Sequence, residues 1–305
     1  MSHFSNENWR FLLNFDLMQT CFLQPSAFLA PYIDYYFVIE DNGSAIVPED
    51  KRSLTVFPAP QGEMVFSYGA PTQEQWLDET AVDSPGLAVG GFSTKAVEYT
   101  NRQGVGCMMV GFKPWGLQSF LDVGLKELIN TNSEMTLHFG TEVLFVEEML
   151  REAGSLGERI RIVEAFLAGK LRRPMLDKTM VHAVDLIADS KGLIPVETLA
   201  RQCFMSRRQL LRRFENAIGI SPKLFSRIVR FQQVFAAIEQ TPTQLDWSQI
   251  AYDTGYFDQA HFINDFREFS GMSPSQFFHQ AQRSAIGLSF DENKGKEGLY
   301  GKVYL

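Results

Sequence analysis

The chain has 305 residues, which is long enough for two domains that each bury a core of their own. Its formal net charge of −8 does not exclude a polyanionic partner, because residues 176–285 hold 12 basic and 11 acidic side chains while the remainder holds 16 and 25. Three widely separated cysteines without a C-x-x-C motif argue against a disulfide framework or a cysteine zinc site. No apolar run approaches the roughly 18–20 residues of a membrane span, and the polar start lacks a signal-peptide pattern, so we expect a cytoplasmic protein with no membrane partner.

Short aromatic and β-branched runs, broken by turn residues, occupy residues 25–115. They predict strands at 32–39, 54–57, 64–68, 87–89, 96–99 and 107–110. Such closely spaced short strands are typical of an antiparallel sandwich or barrel, whereas a sheet of βαβ units would have helices between the strands. Residues 1–20 have an amphipathic or irregular pattern and are assigned no role.

The pattern becomes helical over residues 117–173, where an apolar stripe joins Leu156, Ile160, Val163 and Leu167. Pro174 marks a boundary. We therefore expect an α+β chain with a mixed domain at 1–173 and an all-α domain at 174–283. The Gly-, Lys- and Glu-rich residues 284–305 are expected to form a mobile tail.

The second domain contains an imperfect internal repeat, with copies at residues 199–225 and 250–277. Leu210 and Phe214 in the first copy correspond to Phe262 and Phe266 in the second, and a G-x-S-P-x-x-F segment closes both. Each copy fits a short helix, a turn and a second helix that begins at a capping residue, which is the pattern of a helix-turn-helix. A continuous helix predicted at 222–239 joins the copies.

The first copy separates an apolar face from a polar one. Ser206 is a good N-cap for its second helix, and Gly219 is suited to end that helix in a left-handed conformation. At 100° per residue, Leu210 and Phe214 fall on the buried face, and the opposite face carries Arg208, Leu211, Arg212 and Glu215.

The charge of the first copy and of the start of the helix that follows it favours contact with DNA. Residues 201–230 carry eight basic side chains against one acid. A run of charged residues usually marks a solvent-exposed helix face, but such a face normally carries both basic and acidic side chains. Charge and repeat together therefore favour a nucleic-acid surface.

The second copy is acidic, with two basic and five acidic residues in 246–283. Asp258 caps its second helix, and the outward face of that helix carries Ala260, Ile263, Asn264 and Arg267. Gln259 and Asn264 can still discriminate bases by hydrogen bonding. We therefore expect the first copy to anchor the protein on DNA and the second to adjust its specificity.

Residues 175–278 resemble the DNA-binding domain of AraC/XylS-type transcription regulators. The resemblance rests mainly on the second copy: Ile250-Ala251, Gly255-Tyr256, the D-Q-A-H-F segment at 258–262, Phe266, Gly271 and Ser273-Pro274. It implies two helix-turn-helices, joined by a long helix, that contact adjacent major-groove segments of double-stranded DNA. By position it assigns contact roles to Arg208, Leu211, Arg212, Gln259, Ala260 and Asn264. The chain departs from the family at Asn264, where a basic residue is usual, and at Leu211, where a polar one is usual.

Specific roles follow from side-chain chemistry. Arg208 and Arg212 are expected to bind guanine, because a guanidinium matches its O6 and N7 atoms. Phosphate contacts are expected from Arg207, Arg213, Arg227 and Arg230. Ser206 and Arg267 complete the predicted DNA-binding set.

The first domain resembles the N-terminal sensory domain of one AraC-type subgroup, in L-A-P-Y at 29–32, Gly62-Glu63 and V-G-F-K-P at 110–114. This implies a β-sandwich or cupin-like barrel that binds a small-molecule effector or a partner such as RNA polymerase. The family often has a dimerisation helix. The stripe at 156–167 fits a dimerisation helix, which would imply a homodimer. It fits equally well a helix that packs on its own sandwich.

No catalytic residue, metal or cofactor is expected, because the first domain has only two histidines at unrelated positions and the chain has no phosphate-binding glycine loop or G-x-S-x-G elbow. Aromatic residues of the sandwich could line an effector pocket, although such rings are more often core: Tyr32, Tyr36, Phe66, Tyr68, Phe92, Tyr99 and Trp115. A non-enzymatic alternative is a protein-interaction or ligand-binding module whose DNA-binding domain is auxiliary.

Overall fold

The computed structural model describes residues 11–12, 18–41, 53–172, 176–240 and 246–277. The predicted mobile tail at 284–305 lies outside the described residues. The described chain is mixed α+β, with antiparallel sheets in its first half and helices in its second. The predicted fold class is thus confirmed.

Two antiparallel sheets form the first half. The smaller sheet has the order β1-β4-β9-β6-β7 and the larger has the order β11-β8-β5-β10-β3-β2. The strands are β1 Phe11–Leu12, β2 Met18–Leu23, β3 Ile33–Asp41, β4 Ser53–Val56, β5 Glu63–Ser67, β6 Thr72–Trp76, β7 Val82–Asp83, β8 Leu87–Gly90, β9 Val97–Asn101, β10 Gly106–Phe112 and β11 Asn132–Glu134. All six predicted strands are present, as β3, β4, β5, β8, β9 and β10. The other five were not predicted.

The larger sheet is buried on both faces, because it lies between the smaller sheet and a layer of helices. Tyr35 and Phe37 of β3 pack toward the smaller sheet, with Trp76 and Tyr99. Tyr36 of β3 packs on the opposite side, with the helical layer. This alternation follows from the two-residue period of a strand.

The helical layer consists of α1 Thr136–Phe139, α2 Glu142–Glu152 and α3 Leu156–Lys170. Val163 and Leu167 of α3 are fully buried in the sandwich core. The Phe166 ring meets that of Phe66 at 6.0 Å, and the Tyr36 hydroxyl donates to Glu164 at 3.1 Å. Of the two roles considered for this stripe, the structure shows packing on its own sandwich.

The second half is helical within the described residues. Its helices are α4 Lys178–Asp189, α5 Val196–Gln202, α6 Arg207–Ile218, α7 Pro222–Gln240, α8 Trp247–Asp253 and α9 Gln259–Ser270. The pairs α5–α6 and α8–α9 are the two copies of the repeat. The long helix α7 contacts α4, α6, α8 and α9, so both copies pack around it.

A phenylalanine cluster joins the two halves. Phe57, which follows β4, is 2% exposed and packs against Phe231 and Phe235 of α7 and against Phe277, at ring-centroid distances of 6.3, 5.3 and 5.7 Å. The Gln232 amide, beside these rings on α7, donates to the Pro58 carbonyl. The helical core therefore includes residues of the sandwich.

The two glycines that end α6 and α9 also lie against the first half. Gly219 has φ +94° and Gly271 has φ +79°. A Cβ atom at Gly219 would lie 2.9 Å from the Leu125 Cβ, and one at Gly271 would overlap the Leu77 side chain. Each helix-turn-helix copy is thus held at the carboxyl end of its second helix.

We predict that Gly219→Ala destabilises the protein by roughly 1–3 kcal/mol, because it forces an L-residue into a left-handed conformation and crowds Leu125. Gly169→Ala in α3 is the matched control. Its Cβ would meet nothing within 4 Å, and alanine should stabilise that helix by up to about 1 kcal/mol. Urea unfolding of both variants measures the difference, and effects of the same sign would contradict this interpretation of Gly219.

Candidate nucleic-acid interface

The recognition helix of the first copy is α6, which begins at a complete capping box. The Ser206 hydroxyl accepts from the Gln209 backbone N–H at 3.3 Å, and the Ser206 backbone N–H donates to the Gln209 side chain at 3.0 Å. Leu210, Phe214 and Ile218 are buried beneath α6. Its exposed face carries Arg207, Arg208, Arg212 and Arg213, whereas Leu211 is half-buried.

The recognition helix of the second copy, α9, is built in the same way. The Asp258 carboxylate accepts from the His261 backbone N–H at 2.7 Å. Phe262, Phe266 and Phe269 are fully buried. The predicted contact residues of this copy are all exposed: Gln259, Ala260, Asn264 and Arg267.

Both recognition helices present their amino-terminal ends to solvent. Each has 12 residues, so its capped end lies roughly 17 Å from the glycine that touches the first half. The free backbone N–H groups and the positive end of the helix dipole favour a bound anion there. The exposed ends of α6 and α9 therefore form a candidate surface for DNA.

The basic side chains of α6 differ in how far they are engaged within the protein. Arg207 pairs with Glu197 at 3.2 Å and Arg213 with Asp177 at 2.7 Å, and all four side chains are exposed. Such surface pairs contribute little stability, so phosphates can replace the carboxylates. No hydrogen bond or ion pair to another described residue engages the guanidinium of Arg208 or Arg212.

Arg227, for which a phosphate contact was predicted, is engaged within the protein. Its guanidinium donates to Asp265 at 2.9 Å and to Glu268 at 3.1 Å, and it lies 4.9 Å from the centre of the Phe269 ring. Burial alone would lower the pKa of Arg227, but the hydrogen bonds and charges of the two carboxylates together raise it. This cluster joins α7 to α9, and its two carboxylates bind the Arg227 guanidinium.

Arg230 is also directed inward. It donates to the Gly192 carbonyl at 3.2 Å and lies over the Tyr256 ring at 5.2 Å. These contacts join α7 to the turn at Gly192 and to the turn at Tyr256, and they do not themselves support the predicted phosphate contact of Arg230. A count of charges along the sequence could not separate Arg227 and Arg230 from the exposed arginines of α6.

The turns before the recognition helices expose two phenylalanines that the sequence reasoning missed. Phe204 is 98% exposed and Phe257 is 92% exposed. Phe204 has φ +54°, at the position where the second copy has Gly255 with φ +76°. A bulky residue in this left-handed region is strained. The signal in the sequence was the repeat itself, which aligns Phe204 with a glycine.

Most aromatic residues considered for an effector pocket are core. Phe92 and Trp115 pack with the helical half, while Tyr32, Tyr36 and Phe66 face the helical layer and Tyr68 packs against it. Tyr99 alone of that set lines the cavity between the sheets, together with Phe57 and Trp76.

Within the described ranges, no group of three His, Cys, Asp or Glu side chains could hold a metal ion. The described helices include none that is both long enough and apolar enough to span a bilayer.

Two capped helix-turn-helices around one long helix define a tandem DNA-binding domain. Residues 199–280 match the helix-turn-helix domain family, and residues 22–134 match a domain family of unknown function (DUF6597). With its double motif and the residues noted above, the second half is an AraC-type helix-turn-helix domain.

Similar curated proteins are transcription regulators. The chain is 28% identical over 102 residues to the HTH-type transcriptional regulator MtrA of Neisseria gonorrhoeae, which is 33% of each chain. It is 37% identical over 82 residues to an uncharacterised HTH-type transcriptional regulator of Haemophilus influenzae, which is 27% of each chain. The match thus spans about a third or less of the length of these curated relatives.

Two solved structures share a broader but looser similarity. ToxT from Vibrio cholerae is 10% identical, with 87% of this chain and 98% of that chain covered at a TM-score of 0.42. CdpR from Pseudomonas aeruginosa is 18% identical, with 59% and 47% covered at a TM-score of 0.31. Neither overlap is close enough to carry a conclusion about function.

We predict that Asp265→Asn destabilises the protein by roughly 3 kcal/mol, because the Asp265 side chain is only 5% exposed and its loss leaves Arg227 partly unpaired. Glu268→Gln is the matched control. It removes the other carboxylate, which is 55% exposed, and should cost about 0–1 kcal/mol. Equal losses in urea unfolding would show that the cluster does not join α7 to α9 through Asp265.

The same substitution at the two exposed phenylalanines should have opposite effects. Phe204→Gly relieves the left-handed strain and should stabilise the protein by roughly 0.5–1 kcal/mol. Phe257→Gly has no such strain to relieve and should destabilise it by a similar amount, through the entropy of the unfolded chain. Thermal unfolding of the pair measures this, and a destabilising Phe204→Gly would contradict the strain.

Proposed function

We propose that this protein is a sequence-specific DNA-binding transcription regulator, in which α6 and α9 enter adjacent major-groove segments about one DNA turn, ~34 Å, apart. The observation that carries the proposal is the arrangement of the recognition helices. Both are capped by a side chain, both expose polar side chains on the first turns, and both are fixed to one long helix by buried cores.

Two groups of residues have different roles in this proposal. Arg208 and Arg212 bind bases, since they are exposed and unengaged within the described protein, and Gln259, Ala260 and Asn264 contribute base contacts from α9. Arg207, Arg213 and Arg267 contact phosphates, and Ser206 positions the amino end of α6. Leu211 is half-buried and offers only an apolar contact, such as one to a thymine methyl.

The acidic character of the second copy is compatible with DNA contact, because part of that charge is directed away from the exposed end of α9. Asp265 is buried against Arg227, and Glu268 shares the same guanidinium. Gln259, Ala260 and Asn264, on the exposed face, are uncharged. This arrangement supports the second copy as a contributor of specificity, with little electrostatic affinity of its own.

The remaining parts of the proposal follow from the division of the chain. We take residues 1–173 as the sensory domain and 174–283 as the DNA-binding domain, with the phenylalanine cluster between them. The protein would act in the cytoplasm, without catalysis, with a small-molecule effector or RNA polymerase as the partner of the sensory domain. The competing proposal is a ligand-binding or protein-interaction module with an auxiliary DNA-binding domain, which predicts weak binding to all DNA sequences.

Selection of the full chain on random-sequence DNA, followed by sequencing and a salt titration, tests the proposal. We expect a motif with two half-sites about one turn apart and an affinity that falls steeply with salt. A single half-site would remove α9 from the proposal. Weak binding without an enriched motif would overturn it in favour of the interaction module.

Arg212→Ala should weaken binding by roughly 1–3 kcal/mol and relax the preference at one base pair. Arg213→Ala should weaken binding to all sequences alike and reduce the salt slope by about 1. Arg161→Ala, an exposed substitution on α3, is the control and should change neither. An unaltered motif and affinity in Arg212→Ala would show that this face of α6 does not enter the groove.

A further inference from the structure

A cavity lies between the two sheets at the end of the sandwich that meets the helical half. Phe57 and Trp76 form part of its apolar wall, and Gln61, Glu63, Tyr99 and Asn132 contribute its polar groups. About 30 Å³ is open to the centres of water-sized molecules, which is room for a few non-hydrogen atoms.

One buried acceptor of this cavity has no donor among the described residues. The Gln61 amide nitrogen donates to the Tyr35 hydroxyl at 2.5 Å, which leaves its buried carbonyl oxygen Oε1 without a partner among the described residues. The Asn132 amide nitrogen is occupied as well, since it donates to Glu74 at 2.5 Å and to the Tyr99 hydroxyl at 2.8 Å. A buried acceptor without a donor is costly unless a ligand supplies one.

Glu63 adds a carboxylate to these acceptors. It lies on β5 on the side that faces the smaller sheet, where no hydrogen bond or ion pair joins its side chain to another described residue. This side chain lines the cavity. Burial, with the nearby charge of Glu74, raises the pKa of Glu63 to about 7. The lining residues that the structure describes include no lysine or arginine to neutralise it.

We propose that this cavity binds a small organic cation, such as a primary ammonium group, between Glu63 and the Gln61 carbonyl. A protonated amine supplies a positively charged partner for the Glu63 carboxylate and N–H donors for Gln61 Oε1. The indole of Trp76 and the ring of Phe57 provide apolar and cation–π contacts for the short alkyl part. An anionic ligand would face Glu63 and Glu74 without a compensating charge.

The position of the cavity couples its occupant to the second helix-turn-helix. Phe57 lines the cavity and packs against Phe235 and Phe277. Trp76 also lines it, and the next residue, Leu77, packs against Gly271 at the end of α9. A cation that shifts either wall residue therefore acts on the contact that holds α9. This part rests on the proposed DNA-binding function, whereas the ligand site does not.

Calorimetric titration of the full chain with methylammonium, ethylammonium and guanidinium chlorides, at matched ionic strength, tests the ligand site. We expect saturable binding of at least one cation and none of methanol, ethanol or acetate. Glu63→Gln should lose at least tenfold in affinity, while Glu98→Gln, an exposed change on β9, should lose none. Retained affinity in Glu63→Gln, or equal binding of the neutral alcohols, would overturn the proposal.

The affinity should also rise with pH, because the cation binds the ionised form of Glu63. With a pKa of about 7, the ionised fraction, and thus the apparent affinity, increases about tenfold from pH 6 to pH 8. The other titratable groups facing Glu63 are Glu74, Tyr35, Tyr99 and Cys107. Burial raises the pKa of Tyr35, Tyr99 and Cys107, so these three stay neutral in this range. An affinity that falls over this range would contradict a carboxylate site.

Repeating the DNA titration with the cation bound tests the coupling. We expect the bound cation to change the affinity for the α9 half-site at least threefold, and Leu77→Ala to abolish this change while retaining cation binding. If the chain binds no DNA but binds the cation through Glu63, the ligand site stands and the proposed DNA function fails. DNA binding that the bound cation leaves unchanged would overturn the coupling.

Discussion

The packing of Phe57 into the phenylalanine cluster of the helical half is the contact on which the rest of the structure depends. Phe231 and Phe235 belong to α7, the helix around which both recognition helices pack, so a ring from the sandwich completes the core of the DNA-binding half. Burying such a ring contributes roughly 1.5–3 kcal/mol. Phe92 and Trp115 extend the same core from the sandwich. The two halves therefore share one continuous apolar core, and a change in the sandwich can reach α7 without a flexible connection.

This shared core also determines which surfaces remain free. Leu125 meets the end of α6 at Gly219, and Leu77 meets the end of α9 at Gly271. Because both contacts are at carboxyl ends, the amino-terminal ends, where we propose that bases and phosphates bind, stay exposed. The Arg227 cluster then fixes α9 to α7 by charge. The spacing of the two recognition helices is thus set by packing and ion pairs at the ends opposite to the DNA-facing surface.

Local chemistry made much of this predictable from sequence. The caps at Ser206 and Asp258, the left-handed Gly219 and the six strands with β-branched or aromatic runs follow from short-range preferences, and the structure has them all. Strand β6, TQEQW, was not predicted because its inward residues include the charged Glu74. That side chain is buried, and its carboxylate accepts hydrogen bonds from Ser84 and Asn132. The internal roles of Arg227 and Arg230 and the partners of Phe57 depend on contacts between distant residues, which composition and periodicity do not encode.

The two copies differ in charge and in their contacts with the sandwich, which explains why a ligand in the cavity would act on the second copy. The first copy presents exposed arginines on α6, so in the proposed function it would supply the salt-dependent affinity that is shared by all sequences. The exposed first turns of α9 carry the uncharged residues that we propose as contacts, which would discriminate bases but attract phosphates weakly. The cavity-wall residues Phe57 and Trp76 are connected by packing to α9 and its neighbours. The contact with α6 is made by Leu125, which lies outside the cavity lining. A ligand acting there would change which sites are chosen while leaving the general affinity for DNA largely in place.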